Sequence, residues 1–204
     1  MKVFVTGTDT GVGKTTVCVA LAARCRALGL SVFAFKPIET GGTEDQQALG
    51  HGLYTFKQPA APWVAAQAEG KSIELATVVD TVSRETSQVV IVEGAGGWRV
   101  PITETEDMSS LAAQLGYPVL VVARAALGTI NHSLLTIEAV ERDGLAIAAL
   151  VLSHRPDDDL SFTHSNADQI RQRWGGEILI YVGDGSVFDA LISSMIARDL
   201  PRTE

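Results

Sequence analysis

The chain has 204 residues, of which 46% are apolar and 20% are charged, and this composition is typical of a globular protein with one substantial core. The formal net charge is -8 and the positive residues are scattered, which excludes the basic face that nucleic-acid binding requires. The longest apolar run, residues 145–152, is too short to span a membrane as a helix. We therefore expect a single domain over residues 1–204, with neither nucleic acid nor a membrane as a partner.

The N-terminus and the cysteines indicate where the protein works. Residues 3–6 form a strand-like run without the long apolar stretch of a secretory signal. Cys18 and Cys25, the two cysteines of the sequence, lie in one predicted helix with no histidine at metal-ligand spacing. This pattern favours two buried thiols, which suit a reducing compartment. We expect a soluble, cytoplasmic protein.

Strand-like apolar runs alternate with helix-like stretches along the chain. The first predicted helix begins near Val17 and ends at Gly29, while residues 55–63 are predicted to form a packed loop. The alternation predicts a mainly parallel, doubly wound α/β sheet with helices on both faces. Six strands are predicted, over residues 3–6, 31–36, 89–93, 119–123, 145–152 and 178–182.

The segment between the first strand and the first helix has the composition of a phosphate-binding loop. Its glycines let backbone N–H groups turn toward one anion, Lys14 can reach the terminal phosphates, and the Thr15 hydroxyl can bind magnesium. The loop is a variant, because Thr8 stands where the usual pattern has its first glycine. We expect a P-loop NTPase fold that binds a nucleoside triphosphate and Mg²⁺ through Thr8, Asp9, Thr10, Gly11, Val12, Gly13, Lys14, Thr15 and Thr16.

Charged residues follow two other predicted strands and can converge on this loop, since ligands in such sheets bind beyond the carboxyl ends of the strands. Lys36 ends the second strand and is either a surface lysine or a second cation for phosphoryl transfer. Glu93 ends the third strand, where an acid can hold magnesium. Asp45 is either a second carboxylate for the metal or a helix-start acid favoured by the helix dipole.

A helix start follows the fourth strand at Gly128, Thr129, Ile130 and Asn131. Its N–H groups can bind a carboxylate or phosphate, and a plain helix cap explains the same residues equally well. We assign no catalytic role to His132, because a lone histidine is more often structural.

Four segments together resemble the dethiobiotin synthetase family. They read Gly-Thr-Asp-Thr-Gly-Val-Gly-Lys-Thr at 7–15, Lys-Pro-Ile-Glu-Thr-Gly at 36–41, Val-Glu-Gly-Ala-Gly-Gly-Trp at 92–98 and Leu-Gly-Thr-Ile-Asn-His at 127–132. They occur in the family's order over about two-thirds of the chain. The second and third segments are much more specific than the phosphate loop.

The resemblance implies an ATP- and Mg²⁺-dependent reaction of 7,8-diaminopelargonic acid (7,8-diaminopelargonate) with CO2. A carbamate forms, ATP converts it to a carbamic-phosphoric anhydride, and ring closure gives dethiobiotin, ADP and phosphate. This chemistry needs no nucleophilic side chain, because the substrate supplies the nucleophile.

The resemblance also implies roles for individual residues. Lys14, Lys36 and Thr10 would act on the reacting groups, and Gly96 and Ser153 would contact the nucleotide. The metal would lie among Thr15, Asp45 and Glu93. The substrate would contact Thr40, with its carboxylate at Gly128, Thr129, Ile130 and Asn131 across the interface of a homodimer.

Departures from the family pattern concentrate in the last third of the chain. Ser153 stands where many members have an asparagine that reads adenine, and Leu179-Ile180 replaces an Ile-Pro pair. These changes leave the base preference open. Trp63 replaces a frequent histidine, and Gly11 replaces a glutamate found in some members, but we expect activity to persist.

Three alternative functions fit parts of the pattern. A partitioning-type ATPase has a lysine five residues before the loop lysine, where this chain has Asp9. The synthetase part of a cobyrinate-type amidotransferase shares the fold and the ATP chemistry. Those enzymes carry a further domain with a cysteine nucleophile, whereas Cys18 and Cys25 both lie in the first predicted helix. A catalytically inactive nucleotide-binding regulator is disfavoured by the presence of Lys14, Lys36 and Glu93.

Overall fold

The structure is a computed structural model that describes residues 1–199. Its strands are β1 Lys2–Gly7, β2 Val32–Thr40, β3 Gly52–Phe56, β4 Val89–Gly97, β5 Val119–Arg124, β6 Ile147–Ser153 and β7 Ile178–Tyr181. Its α-helices are α1 Lys14–Ala27, α2 Glu44–Leu49, α3 Pro62–Ala68, α4 Leu75–Ser83, α5 Met108–Leu115, α6 Thr129–Arg142, α7 Leu160–Arg171 and α8 Asp189–Asp199. A 3-10 helix, Gly185–Phe188, precedes α8.

The described strands form one seven-stranded sheet in the order β3-β2-β4-β1-β5-β6-β7, and the paired strands are parallel. Side chains alternate between the two faces, as in β1, where Phe4 packs in one hydrophobic cluster and Val3 and Val5 pack in the other. The first cluster includes residues of α3 to α7, and the second includes residues of α1 and α8. The predicted doubly wound sheet with helices on both faces is confirmed.

The edge strand β3 was not among the six predicted strands. Its five residues are mostly exposed or half-buried, so they form no continuous apolar run. The packed loop predicted over residues 55–63 is wrong at both ends, because Thr55 and Phe56 finish β3 and Pro62 and Trp63 begin α3. Proline suits this position, since the first residue of a helix needs no N–H partner within the helix.

Strand β2 changes partner at Lys36, and this change positions the site. Val32 to Phe35 pair with β4, whereas Lys36 to Thr40 pair with β3. The strand therefore runs four residues beyond its predicted end at Lys36. Pro37 has no N–H to donate. It is tolerated here because the pairing of β2 with β3 uses the N–H of the preceding residue, Lys36, which donates to the His51 carbonyl at 3.0 Å.

Cys18 and Cys25 are both buried free thiols, as predicted. Burial raises the pKa of Cys25 to about 11, which keeps this thiol protonated at neutral pH. No helix within residues 1–199 combines the length and the apolarity that a membrane crossing demands.

Candidate nucleotide-binding and catalytic site

A cleft of about 810 Å³ lies at the carboxyl ends of β1, β2, β4 and β6. Its walls are the phosphate loop, the ends of β2 and β4, and two segments that approach from the sides, residues 59–62 and 153–156. Such a location is the expected binding site of an open parallel sheet.

The phosphate loop turns tightly into α1 through glycines with positive φ. Gly11 has φ 70° and Gly13 has φ 101°, both in the left-handed region that favours glycine. Space is short as well, because a Cβ on Gly13 would lie 2.5 Å from Ser153 Oγ. No side chain caps α1 at Gly13, and its first turn has no acidic residue. The N-terminus of α1 is therefore suited to an anion.

Lys14 lies folded into this loop. It is 6% exposed, and its Nζ donates to the Asp9 carbonyl at 3.1 Å. Burial, together with the nearby positive charge of Lys36, lowers the pKa of Lys14. An ammonium held in this way is available to a phosphate that enters the loop.

Glu93 is the centre of a buried polar network. Its side chain is fully buried, and its Oε1 accepts from Lys36 Nζ at 2.5 Å and from Thr15 Oγ1 at 2.8 Å. Its Oε2 is buried without a nitrogen or oxygen partner among the described residues. The Cys18 thiol lies nearby, and burial together with the Glu93 carboxylate raises its pKa well above the ordinary value.

Lys36 joins this network to Asp45. Its Nζ lies 2.9 Å from Asp45 Oδ2, and its side chain is 6% exposed, whereas that of Asp45 is 41% exposed. Burial opposes the charge on Lys36, but attraction to Glu93 and Asp45 outweighs it and raises the pKa of Lys36. Lys36 is therefore a buried, charged group of the cleft and not a surface lysine.

Thr10, Gly96 and Thr40 also line the cleft. Gly96 has φ 66°, and a Cβ there would lie 3.4 Å from Thr10 Oγ1 and 2.8 Å from Val100 Cγ2. A side chain at Gly96 would therefore clash with Val100 and would also contact Thr10 of the phosphate loop.

The cleft brings together most of the sequence-predicted residues, with clear exceptions. Within the loop, Thr8, Asp9 and Val12 do not line it, although Gly11, Gly13, Lys14, Thr15 and Thr16 do. The helix start at Gly128, Thr129, Ile130 and Asn131 lies outside the cleft of its own chain. There, Gly128 has φ 91°, Thr129 is buried and Asn131 is exposed.

Glu39 and Arg155 are polar residues of the cleft for which the sequence predicted no role. Glu39 is 5% exposed, lines the cleft and accepts hydrogen bonds from the first turn of α2. Arg155 crosses the mouth of the phosphate loop, and its Nη2 donates to the Gly11 carbonyl at 2.7 Å. A glutamate inside the Lys-Pro-Ile-Glu-Thr-Gly segment was a visible signal for the first, but nothing in the sequence relates Arg155 to a loop 144 residues away.

Solved structures share the fold. The MinC:MinD cell division protein complex of Aquifex aeolicus matches with a TM-score of 0.62 at 13% identity, over 100% of this chain and 98% of that chain. The signal recognition particle receptor FtsY of Elizabethkingia anophelis matches with a TM-score of 0.56 at 18% identity, over 93% of this chain and 64% of that chain. At such identities the likeness concerns the P-loop NTPase fold alone.

Sequence relatives identify the family. The model of a family described as an AAA domain matches residues 1–183. The ATP-dependent dethiobiotin synthetase BioD of Anaeromyxobacter dehalogenans strain 2CP-C is 46% identical over 186 residues, covering 82% of this chain and 83% of the relative. The protein of the same name from Anaeromyxobacter sp. strain Fw109-5 is 42% identical over 195 residues, covering 86% of each. The chain belongs to the ATP-dependent dethiobiotin synthetases, ligases of biotin biosynthesis that use ATP.

Proposed function

We propose that the protein converts 7,8-diaminopelargonate, CO2 and ATP to dethiobiotin, ADP and phosphate in the cleft above the phosphate loop, with Mg²⁺ required. The observation that carries this proposal is the contact of Lys36 Nζ with both Glu93 and Asp45, beside the loop that holds Lys14. Two cations and two carboxylates at one phosphate site are the groups that phosphoryl transfer needs.

The nucleotide is bound by the loop from Thr8 to Thr16, with Lys14 on the terminal phosphates. The left-handed glycines and the uncapped start of α1 support this role. Gly96 and Ser153 lie at the two sides of the loop, and we propose that they contact the nucleotide. The sequence leaves the base preference open, so the synthesis assay compares ATP, GTP and CTP.

Thr15, Asp45 and Glu93 would hold the magnesium ion, which supplies charge neutralisation on the phosphates when it is bound. The buried Glu93 Oε2, which has no nitrogen or oxygen partner among the described residues, fits this role. Residues 1–199 contain no group of three or more His, Cys, Asp or Glu side chains suited to a metal. Two carboxylates and a hydroxyl are nevertheless sufficient, because substrate phosphates and water commonly complete the coordination shell of Mg²⁺.

The reaction proceeds by three bond-forming steps in which the substrate supplies each nucleophile and the cleavage of ATP supplies the driving force. One amine attacks CO2, loses a proton and forms a carbamate, whose oxygen then attacks the γ-phosphorus of ATP as ADP leaves. The second amine attacks the carbamate carbon, loses a proton and closes the ring as phosphate leaves. Lys36 and Lys14 stabilise the negative charge of the carbamate and the transferring phosphoryl group, and Thr10 donates a hydrogen bond beside them.

The substrate extends from Thr40 toward a second copy of the chain. Thr40 lines the cleft, whereas the helix start at Gly128, Thr129, Ile130 and Asn131 lies outside the cleft of its own chain. A homodimer would bring the two sites together. In it, the substrate would lie in the cleft of one copy, and its carboxylate would bind the helix start of the other copy. Leu127 (91% exposed) and Leu135 (58% exposed) provide apolar surface at this helix for such an interface.

The direct test is a synthesis assay with purified protein, 7,8-diaminopelargonate, bicarbonate and Mg²⁺, run in parallel with ATP, GTP and CTP. The proposal expects dethiobiotin and one nucleoside diphosphate per product, and no product without Mg²⁺. Absence of dethiobiotin with all three nucleotides would overturn the proposal. Product formed equally well in chelator would overturn the metal assignment alone.

A further inference from the structure

The short helix α2 carries Asp45, so the position of this carboxylate depends on what holds the helix. The N-cap residue Thr43 makes no side-chain hydrogen bond to the first turn. The backbone N–H groups of Asp45 and Gln46 instead donate to Glu39 Oε1 at 2.9 Å and Glu39 Oε2 at 2.7 Å. A residue of β2 therefore satisfies first-turn N–H groups that have no partner within the helix.

Glu39 is suited to this role by charge and by burial. A carboxylate at a helix N-terminus is favoured by the helix dipole, and hydrogen bonds to a charged acceptor are roughly twice as strong as neutral ones. Glu39 is only 5% exposed, so solvent competes little for its oxygens. Both oxygens are engaged with α2, which indicates that Glu39 acts through the helix and not directly on a ligand.

Gln46 fastens the same turn to the sheet. Its Nε2 donates to the Lys36 carbonyl at 3.1 Å and to the Tyr54 carbonyl at 2.9 Å, and its Oε1 accepts from Thr55 Oγ1 at 2.6 Å. The first turn of α2 is thus tied to β2 and β3 at the level of Lys36.

The contact of Asp45 with Lys36 is not enforced by packing around the Asp45 side chain. This side chain is 41% exposed, and α2 has only six residues and one buried residue, Leu49. A short helix with so little buried surface has few means of holding a carboxylate in place. The anchored backbone N–H of Asp45 supplies that restraint.

We propose that Glu39 is a positioning residue that sets Asp45 against Lys36 and Glu93, and thereby determines how tightly Mg²⁺ is held with the nucleotide. This inference rests on the proposed magnesium role of Asp45. It assigns to Glu39 no contact with substrate, nucleotide or metal.

The test measures metal coupling, defined as the dissociation constant of a non-hydrolysable ATP analogue without Mg²⁺ divided by that with saturating Mg²⁺. Calorimetry is applied to the full chain and to E39A, E39Q, D45A and the E39A/D45A double variant. We expect E39A to lower the coupling by about 10-fold, as is typical when a residue that orients a metal ligand is lost, and D45A to lower it at least as much. The double variant is expected to match D45A, because Glu39 acts through Asp45.

Controls separate positioning from general loss of stability. E39Q keeps the side-chain shape and one acceptor, so it is expected to lower the coupling less than E39A. Asp184 accepts from the Ser186 N–H at 2.9 Å at the start of the 3-10 helix, and it does not line the cleft. D184A therefore removes a comparable cap and should leave the coupling unchanged. Thermal melting shows which variants are folded.

The outcomes test the positioning role of Glu39 and the magnesium role of Asp45 separately. If D45A lowers the coupling and folded E39A and E39Q do not, the role of Glu39 is overturned while the magnesium assignment stands. If D45A leaves the coupling unchanged, both are overturned. If the effects of E39A and D45A multiply in the double variant, Glu39 acts by another route and the positioning role is wrong.

Discussion

Lys36 Nζ lies 2.5 Å from Glu93 Oε1, and this buried ion pair joins two neighbouring strands where β2 stops pairing with β4. The side chains are 6% and 0% exposed, so each charge depends on the other. The pair places an ammonium group beside the phosphate loop with little exposure to water. If Lys36 acts in the proposed reaction, catalysis and local stability are coupled at this residue.

The variant Lys36→Ala separates these two effects. We expect dethiobiotin formation to fall by about 10²- to 10³-fold, as when one preorganised charge-stabilising donor is removed. Binding of nucleotide without Mg²⁺ should persist, because Lys14 and the loop glycines are unchanged. Steady-state synthesis rates and calorimetric nucleotide binding check the two parts. Equal loss of binding and synthesis would contradict a role for Lys36 in the chemistry.

Removing Lys36 also leaves the buried Glu93 carboxylate unpaired. Truncation of one partner of a buried ion pair costs about 3–5 kcal/mol, so Lys36→Ala should unfold at lower denaturant concentration. The double variant K36M/E93L has no buried Glu93 carboxylate. It should therefore regain much of the stability that Lys36→Ala loses, but it should remain inactive in dethiobiotin synthesis. Chemical denaturation of the variants measures the difference.

Gly13→Ala should abolish nucleotide binding for two structural reasons. Its φ of 101° disfavours any residue with a Cβ, and that Cβ would lie 2.5 Å from Ser153 Oγ. Gly144→Ala is a matched control, since Gly144 has φ 79° and open space around its Cβ position. We expect the control to lose only some stability. A G13A protein that binds nucleotide normally would show that this turn does not determine the site.

The lowered pKa of Lys14 predicts a pH dependence of nucleotide binding. Burial and Lys36 move this pKa below the ordinary 10.5, so the free protein loses the Lys14 charge at a lower pH than a solvated lysine would. Affinity should therefore weaken as pH rises, and the loss should begin at a lower pH than the ordinary lysine pKa would give. The variant Lys14→Arg stays charged, so its nucleotide affinity should fall less with rising pH, even if the affinity is lower overall. The dissociation constant is measured between pH 7 and pH 10.5. If the affinity of Lys14→Arg falls with pH as it does in the unmodified protein, another group causes the pH dependence.

Arg155→Ala should weaken nucleotide binding modestly. The hydrogen bond from Arg155 Nη2 to the Gly11 carbonyl stabilises the loop, and its loss should cost about 1 kcal/mol, or about fivefold in affinity. Arg171, which pairs with Asp168 on α7, is a surface arginine for comparison. Arg171→Ala should leave nucleotide affinity unchanged. Equal effects of the two substitutions would argue against a specific role for Arg155.

The parts of the fold that the sequence predicts are those with a strong local pattern. Continuous apolar runs predict six of the seven strands, the five inner strands and the edge strand β7, because burial on both faces favours apolar residues along most of a strand. The edge strand β3 lacks such a run and forms only where β2 turns away from β4. Pro37 was a signal for the end of the pairing between β2 and β4, but not for the continuation of β2.

The site residues that could be predicted are likewise those with a recognisable local motif in the sequence. Lys14 follows β1, and Lys36 and Glu93 lie at the predicted ends of two other strands in recognisable motifs, so their convergence was predictable from topology. Asp45 was ambiguous, because a helix-start acid and a metal-site acid look the same in the sequence. The role of Glu39 depends on where α2 folds back, and the contact of Arg155 joins residues 144 positions apart. The Lys-Pro-Ile-Glu-Thr-Gly segment draws attention to Glu39, but no local pattern shows which groups either side chain contacts.

Phosphorylation of a carbamate by ATP in the cleft can be followed with oxygen isotopes. Freshly dissolved ¹⁸O-labelled bicarbonate and 7,8-diaminopelargonate are added to the protein with Mg·ATP, and the phosphate formed before the bicarbonate exchanges its label with water is analysed by mass spectrometry. We expect one ¹⁸O atom transferred to phosphate for each dethiobiotin formed, because a carbamate oxygen attacks the γ-phosphorus. Dethiobiotin formed with unlabelled phosphate, or ATP hydrolysed without dethiobiotin, would contradict it.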